Sequence, residues 1–177
     1  MPPITNSSAV GNLEHIDFEA IADPDDKIRE CEFFLDLASK EADRARFRWL
    51  ISAYLNAVYS FFETSALYFS VAFTDPETGD PIEDSEAIEI LRNYVRVTQN
   101  KKTPYFVKTE ALNPVVARLC KLRNAATHHY PLSIMAAGPK LPDDYHSGST
   151  KGEGESLLAL CRNAFEVVKQ VQAEIDT

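Results

Sequence analysis

Residues 122–132 of this chain read Leu-Arg-Asn-Ala-Ala-Thr-His-His-Tyr-Pro-Leu. On a helix Asn124 and His128 stand four positions apart, about 40° around the axis, and so share a face. Arg123 lies beside them with a side chain long enough to reach the same space. A guanidinium, an amide and an imidazole brought together suit phosphodiester chemistry. Histidine titrates near neutrality and can move the proton of a ribose 2′-hydroxyl, while a fixed guanidinium holds non-bridging phosphate oxygens as negative charge builds. The same residues also have a plainer explanation. An Arg and a His near a helix C-terminus complement the helix dipole and bond its last free carbonyls without any catalysis.

Other residues bear on this chemistry less directly. Glu63, almost alone among apolar neighbours, could orient Arg123 or His128 across a helical bundle, or equally face solvent or a partner subunit. The formal charge of −9 argues against a protein that coats nucleic acid over its whole surface. That average conceals an asymmetry: between Leu91 and His129 lie eight basic residues and one acid, Glu110. Within that stretch Arg118, Lys121, Lys101 and Lys102 are candidates for phosphate or RNA binding, although ordinary solvated helix faces explain the same count. No metal site is suggested. His146 falls in a Gly/Ser-rich stretch and His15 near the start, each without a companion at ligand spacing. Nor is there a Gly-rich phosphate loop, a GxSxG elbow or a CxxC pair, and no cofactor is expected. Cys31, Cys120 and Cys161 are odd in number, far apart and set in apolar helical patterns, which points to a reducing cytosol rather than a disulfide framework.

The elements that must position these groups are legible as helices. Only 6 Gly occur in 177 residues, and neither Gly nor Pro interrupts the stretch between Asp25 and Asp75. Asp23-Pro24 reads as a cap followed by proline at the first helical position, opening a helix over about 24–40 with Ile28, Cys31, Leu35 and Ala38 at helical spacing. After a break near 39–43, a second helix over about 43–73 turns Phe47, Leu50, Ile51, Tyr54, Val58, Phe61 and Phe62 inward. Its segment from Trp49 to Phe73 is 25 residues long with the single charge Glu63, enough to span a bilayer. Seven polar residues in that segment, several spaced by four, instead predict the central helix of a soluble bundle, with no membrane partner. Asp84 caps a third helix over about 85–100. A connection at 101–112 contains Pro104, and Asn113-Pro114 opens a fourth helix that Pro131 stops. A fifth, over about 154–175, repeats Leu157, Leu160, Cys161, Ala164, Phe165, Val168, Val171 and Ile175 at a period near 3.6. The sequence therefore predicts an all-α, up-and-down bundle of about five helices: a flexible tail over 1–22, then one domain over 23–177 with a mobile loop at about 132–153.

Arg, a polar residue, three further positions and then His, at the end of a late helix in a small bundle, is similar to the motif of the HEPN superfamily. There Arg and His are separated by four to six residues, so His129 also fits the spacing. His128 is preferred because it shares a face with Asn124. Tyr130 and the FRWLISAYLNAVYSFFE stretch of helix two also resemble members of the superfamily. The resemblance covers residues 25–175 in architecture and about eight residues in its specific motif. It implies a homodimer that brings two motifs together and, in active members, metal-independent RNA cleavage leaving a 2′,3′-cyclic phosphate. On that likeness Arg123 would be the phosphate-stabilising cation, His128 the general base or acid, and Asn124 an orienting partner, with Glu63, His129 and Tyr130 in support. RNA and an antitoxin or other protein are the partners it implies, since some members are toxins. Others are binding modules, which makes a non-catalytic helical dimer that binds a protein or nucleotide the alternative.

Overall fold

The computed structural model of the chain describes residues 24–72, 75, 77–78, 86–98, 113–128, 131–148 and 154–175. Five helices occur among them: α1 (Pro24–Ser39), α2 (Arg44–Ala72), α3 (Glu86–Thr98), α4 (Pro114–His128) and α5 (Leu157–Ile175). The expected tail over 1–22, the caps at Asp23 and Asp84 and the connection at 101–112 lie outside the described residues.

Each visible boundary has a local cause. Residues 40–43 separate α1 from α2, and Asp43 then caps α2, its Oδ1 accepting the backbone N–H groups of Ala45 and Arg46 at 3.0 and 2.9 Å. The N–H of Arg46, followed by that of Ala45, holds the Asp43 carboxyl below its ordinary value of 3.8. Asn113 does the same for α4. Its Oδ1 accepts from Val115 at 3.0 Å and, at the limit, Val116 at 3.5 Å, and Pro114 occupies the first helical turn, where a missing N–H costs nothing.

Helix α2 is the axle of the molecule, packing against α1, α3, α4 and α5. Its inward face carries Phe47, Ile51, Tyr54, Leu55, Val58, Phe61 and Phe62, all buried, and α5 adds Leu157, Leu158, Cys161, Ala164 and Val168 to the same core. Between them the Tyr54 hydroxyl donates to the Cys161 carbonyl at 2.8 Å. That bond satisfies a polar group which the α2 pattern would otherwise bury alone. None of the helices among the described residues is long and apolar enough to cross a membrane.

The region expected to be loop is different in kind. Within 132–153 and just beyond it, three short strands form an antiparallel sheet in the order β1 (Ile134–Ala136), β2 (Tyr145–Ser147), β3 (Glu155–Ser156). Ile134 pairs with Ser147, Ala136 with Tyr145, and His146 with Ser156. Strands of two or three residues are too short to display an alternating pattern, and their Pro, Gly and Ser neighbours read as punctuation. What holds the sheet is long-range. The Tyr145 ring lies on Phe47 of α2 at 4.6 Å, and its hydroxyl donates to the Ala42 carbonyl in the α1–α2 turn. A Cβ at Gly138 would meet the Asp144 carboxylate at 2.3 Å, so a larger residue there would displace the carboxylate that accepts from the Lys140 N–H.

Candidate functional site

Helix α2 supplies the floor of the site and α4 its cation. Three residues of α2 spaced by three and four, Asn56, Tyr59 and Glu63, emerge on a side of the helix not filled by the core. Across from them, Arg123 of α4 is half-buried with its guanidinium carbon 4.2 Å from the centre of the Tyr59 ring. Its Nε–H donates to Asn56 Oδ1 at 3.3 Å and an Nη1–H to Asn124 Oδ1 at 3.2 Å. Stacking on an aromatic face together with two hydrogen bonds fixes the plane of the guanidinium, a cation–π contact being worth about 0.5–2 kcal/mol depending on desolvation.

Both oriented partners are neutral amides. Among the described residues no carboxylate pairs with Arg123. A guanidinium has five N–H donors. Two are engaged by neutral amides, so the remaining donors are left to meet an anion. The Tyr59 phenol is held above its ordinary value of 10.0, first by burial and then by the charge of Glu63 and the hydrogen bond to it. It therefore stays protonated at neutral pH and donates to Glu63. Glu63 thus bears on the ring against which the guanidinium stacks. Below the cation, Leu55, Val58, Phe62, Val116, Leu119 and Cys120 close a crevice with about 10 Å3 of free space, room for a single water at most. Whatever binds Arg123 must approach from outside.

The other residues that the sequence singles out are placed as follows. His128 is the last residue of α4, five positions and so about 7.5 Å along the axis from Arg123; its side chain lies outside the described residues, as do His129, Tyr130, Lys101 and Lys102. Asn124 sits beside Arg123 and bonds it, as the shared segment leads one to expect. Arg118 faces elsewhere: its Nε–H donates to Glu155 at 2.7 Å and its Nη2–H to the buried Ser147 hydroxyl at 3.4 Å, fastening α4 to the sheet with its charge matched. Lys121 is exposed. Among the described residues no three His, Cys, Asp or Glu side chains group as metal ligands. Asn56 and Tyr59 were not singled out as site residues from sequence. For Asn56 the available signal is the polar line along an otherwise apolar helix, whose spacing of four marks a face without naming what faces it, and Tyr59 lies outside that line.

Compared with known proteins, the chain matches no family profile, no curated protein and no solved structure.

Proposed function

We propose that this protein is a metal-independent endoribonuclease of the HEPN type, working as a homodimer. The observation that carries the proposal is Arg123: a guanidinium fixed by Asn56, Asn124 and the Tyr59 ring, unneutralised by any described acid, on the helix that ends at His128. In this mechanism the ribose 2′-oxygen forms a bond to phosphorus as the P–O5′ bond breaks. One imidazole takes the 2′-proton and a second, His128 of the other copy, returns a proton to O5′, leaving a 2′,3′-cyclic phosphate and a 5′-hydroxyl. Arg123 donates to the non-bridging oxygens, on which negative charge grows in the transition state. Such an enzyme in a cell calls for restraint, and the toxin of a toxin–antitoxin pair is one setting that fits it, with the antitoxin as protein partner.

A second reading rests on the crevice under Arg123. With about 10 Å3 of free space it encloses no reacting group, and a helical dimer module that only binds a protein or nucleotide at this face requires no such enclosure. Turnover separates the two. Purified protein is expected to cut single-stranded RNA in EDTA, to leave a cyclic phosphate, and to spare DNA, which has no 2′-hydroxyl. His128→Ala is expected to abolish cutting with the helical circular-dichroism signal intact. Cleavage that requires Mg2+, attacks DNA equally, or survives in His128→Ala removes the assignment, and tight binding without turnover favours the module.

A further inference from the structure

The same side of α2 that receives Arg123 continues toward the N-terminus of the helix and there carries Trp49, the single tryptophan of the chain, 62% exposed. At 100° per residue, Arg48, Trp49, Ser52, Asn56 and Tyr59 fall within one strip about 100° wide, which Glu63 continues one turn beyond Tyr59, and Trp49 precedes Asn56 by about 10 Å along the axis. The strip faces away from the core, which is filled by Phe47, Ile51 and Tyr54 of the neighbouring positions. An isolated exposed aromatic is unremarkable on a protein surface. What sets Trp49 apart is the charge around it. Arg48, half-buried, has no ion pair or hydrogen bond to its guanidinium among the described residues, whereas Arg46, the helical neighbour of Trp49 three positions earlier, is paired with Glu41 at 3.0 Å. One guanidinium without an ion pair thus lies at the opposite edge of the strip from the indole, and a second, Arg123, lies two turns further on.

The other exposed aromatic cluster makes an instructive contrast. Phe33 and Leu37 of α1 are 58% and 38% exposed, but Lys27 and Lys40 beside them are already matched by Glu30 and Asp36 at 2.7 and 2.6 Å, and Glu32 adds a further negative charge. An aromatic face flanked by unmatched cations is instead the arrangement that grips single-stranded nucleic acid, bases stacking on the ring and phosphates meeting the guanidinium groups. The flat crevice at Arg123 is consistent with a strand laid along the surface rather than a base held in a pocket.

We infer that the Arg48–Tyr59 strip of α2 is the strand-binding track of the site, with Trp49 stacking a base of single-stranded RNA and Arg48 meeting a backbone phosphate while the adjoining phosphate lies at Arg123. The inference rests on the ribonuclease proposal for its substrate, and its test is built to fail separately. The probe is a short 2′-O-methylated oligouridylate, which lacks the nucleophilic hydroxyl and is not cut. Because Trp49 is the only tryptophan, its fluorescence reports on this strip alone. Titration of the full chain is expected to quench that emission saturably. By fluorescence anisotropy of end-labelled probe, Trp49→Ala is expected to weaken binding about 5- to 100-fold and Trp49→Phe far less, in line with the worth of one stacked base. Arg48→Ala is expected to lower the slope of log affinity against log salt by about one phosphate contact.

Binding of the probe with unchanged Trp49 emission, and with Trp49→Ala binding as well as the parent, overturns the track. So does failure of the probe to bind at all. A homodimer that Trp49→Ala dissociates, with Trp49 emission already blue-shifted before any probe is added, overturns it too by assigning the strip to a second copy of the chain. If instead quenching and the Trp49→Ala loss appear while RNA is never cut, the track stands and the nuclease chemistry fails. If RNA is cut with KM unaltered in Trp49→Ala, the chemistry stands and the track fails.

Discussion

Arg123 is held without being neutralised, and that distinction decides what it can do. A carboxylate in place of one of its amide partners would orient it equally well, but would spend on an internal ion pair the charge that an incoming phosphate needs. Asn56→Asp tests this directly. The substitution is nearly isosteric and puts an acid 3.3 Å from the guanidinium Nε. Its expected outcome is a fall of at least about 10-fold in RNA affinity or cleavage, with a melting temperature equal to or above that of the parent, since a half-buried pair contributes at most about 1 kcal/mol. Undiminished activity in this variant would mean that the charge of Arg123 is not used. The contrast with Arg118 makes the same argument within the native chain, because its bond to Glu155 at 2.7 Å leaves it as a brace between α4 and the sheet. From the sequence the two arginines, five residues apart on one helix, are equivalent basic positions. The partners that distinguish them come from α2 and β3.

At the scale of elements, helix α4 has to start in register for Arg123 to reach α2. Asn113 sets that start by accepting the first free N–H groups of the helix. Asn113→Ala is expected to destabilise the fold by about 1 kcal/mol, read as a lower melting temperature, and Asn113→Asp to restore it through a stronger acceptor at the positive end of the helix. Equal stability of all three would show that the cap is made elsewhere. Helix positions were the most legible part of the fold, because caps, proline and the 3.6 period are written in neighbouring residues. The start of α4 at Pro114 and the break over 40–43 match the sequence expectation closely. The small sheet was not legible, because its strands have no length over which a pattern repeats and owe their place to Tyr145 meeting Phe47 and Ala42 across the molecule.

In the whole molecule the cysteines behave as core residues. Cys31 and Cys161 are fully buried and Cys120 nearly so, and no disulfide joins them. Burial pushes the Cys31 thiol up to about 12 and raises that of Cys161 further still, so neither forms a thiolate at neutral pH. A chromogenic disulfide reagent at pH 8 is therefore expected to leave these thiols unmodified in the native protein and to label all three once denaturant is added. Rapid labelling of Cys31 or Cys161 without denaturant would show that the α1–α2–α5 interface opens readily. That interface includes the Tyr54 hydroxyl bonded to the Cys161 carbonyl, so α5 is tied to the axle helix by more than apolar contact.

The amino-acid sequence alone determined the helices of this protein, the residues that face inward along each, and the local grouping of Arg123 with Asn124. All of these depend on spacing within one segment. Only the tertiary structure decided that Arg123 lies on Tyr59 and is oriented by Asn56, 67 positions away, and that Arg118 is matched by Glu155. Helical periodicity reports which side of an element is apolar. It carries no record of which polar group another element brings to the opposite side, because that choice is made by packing at long range.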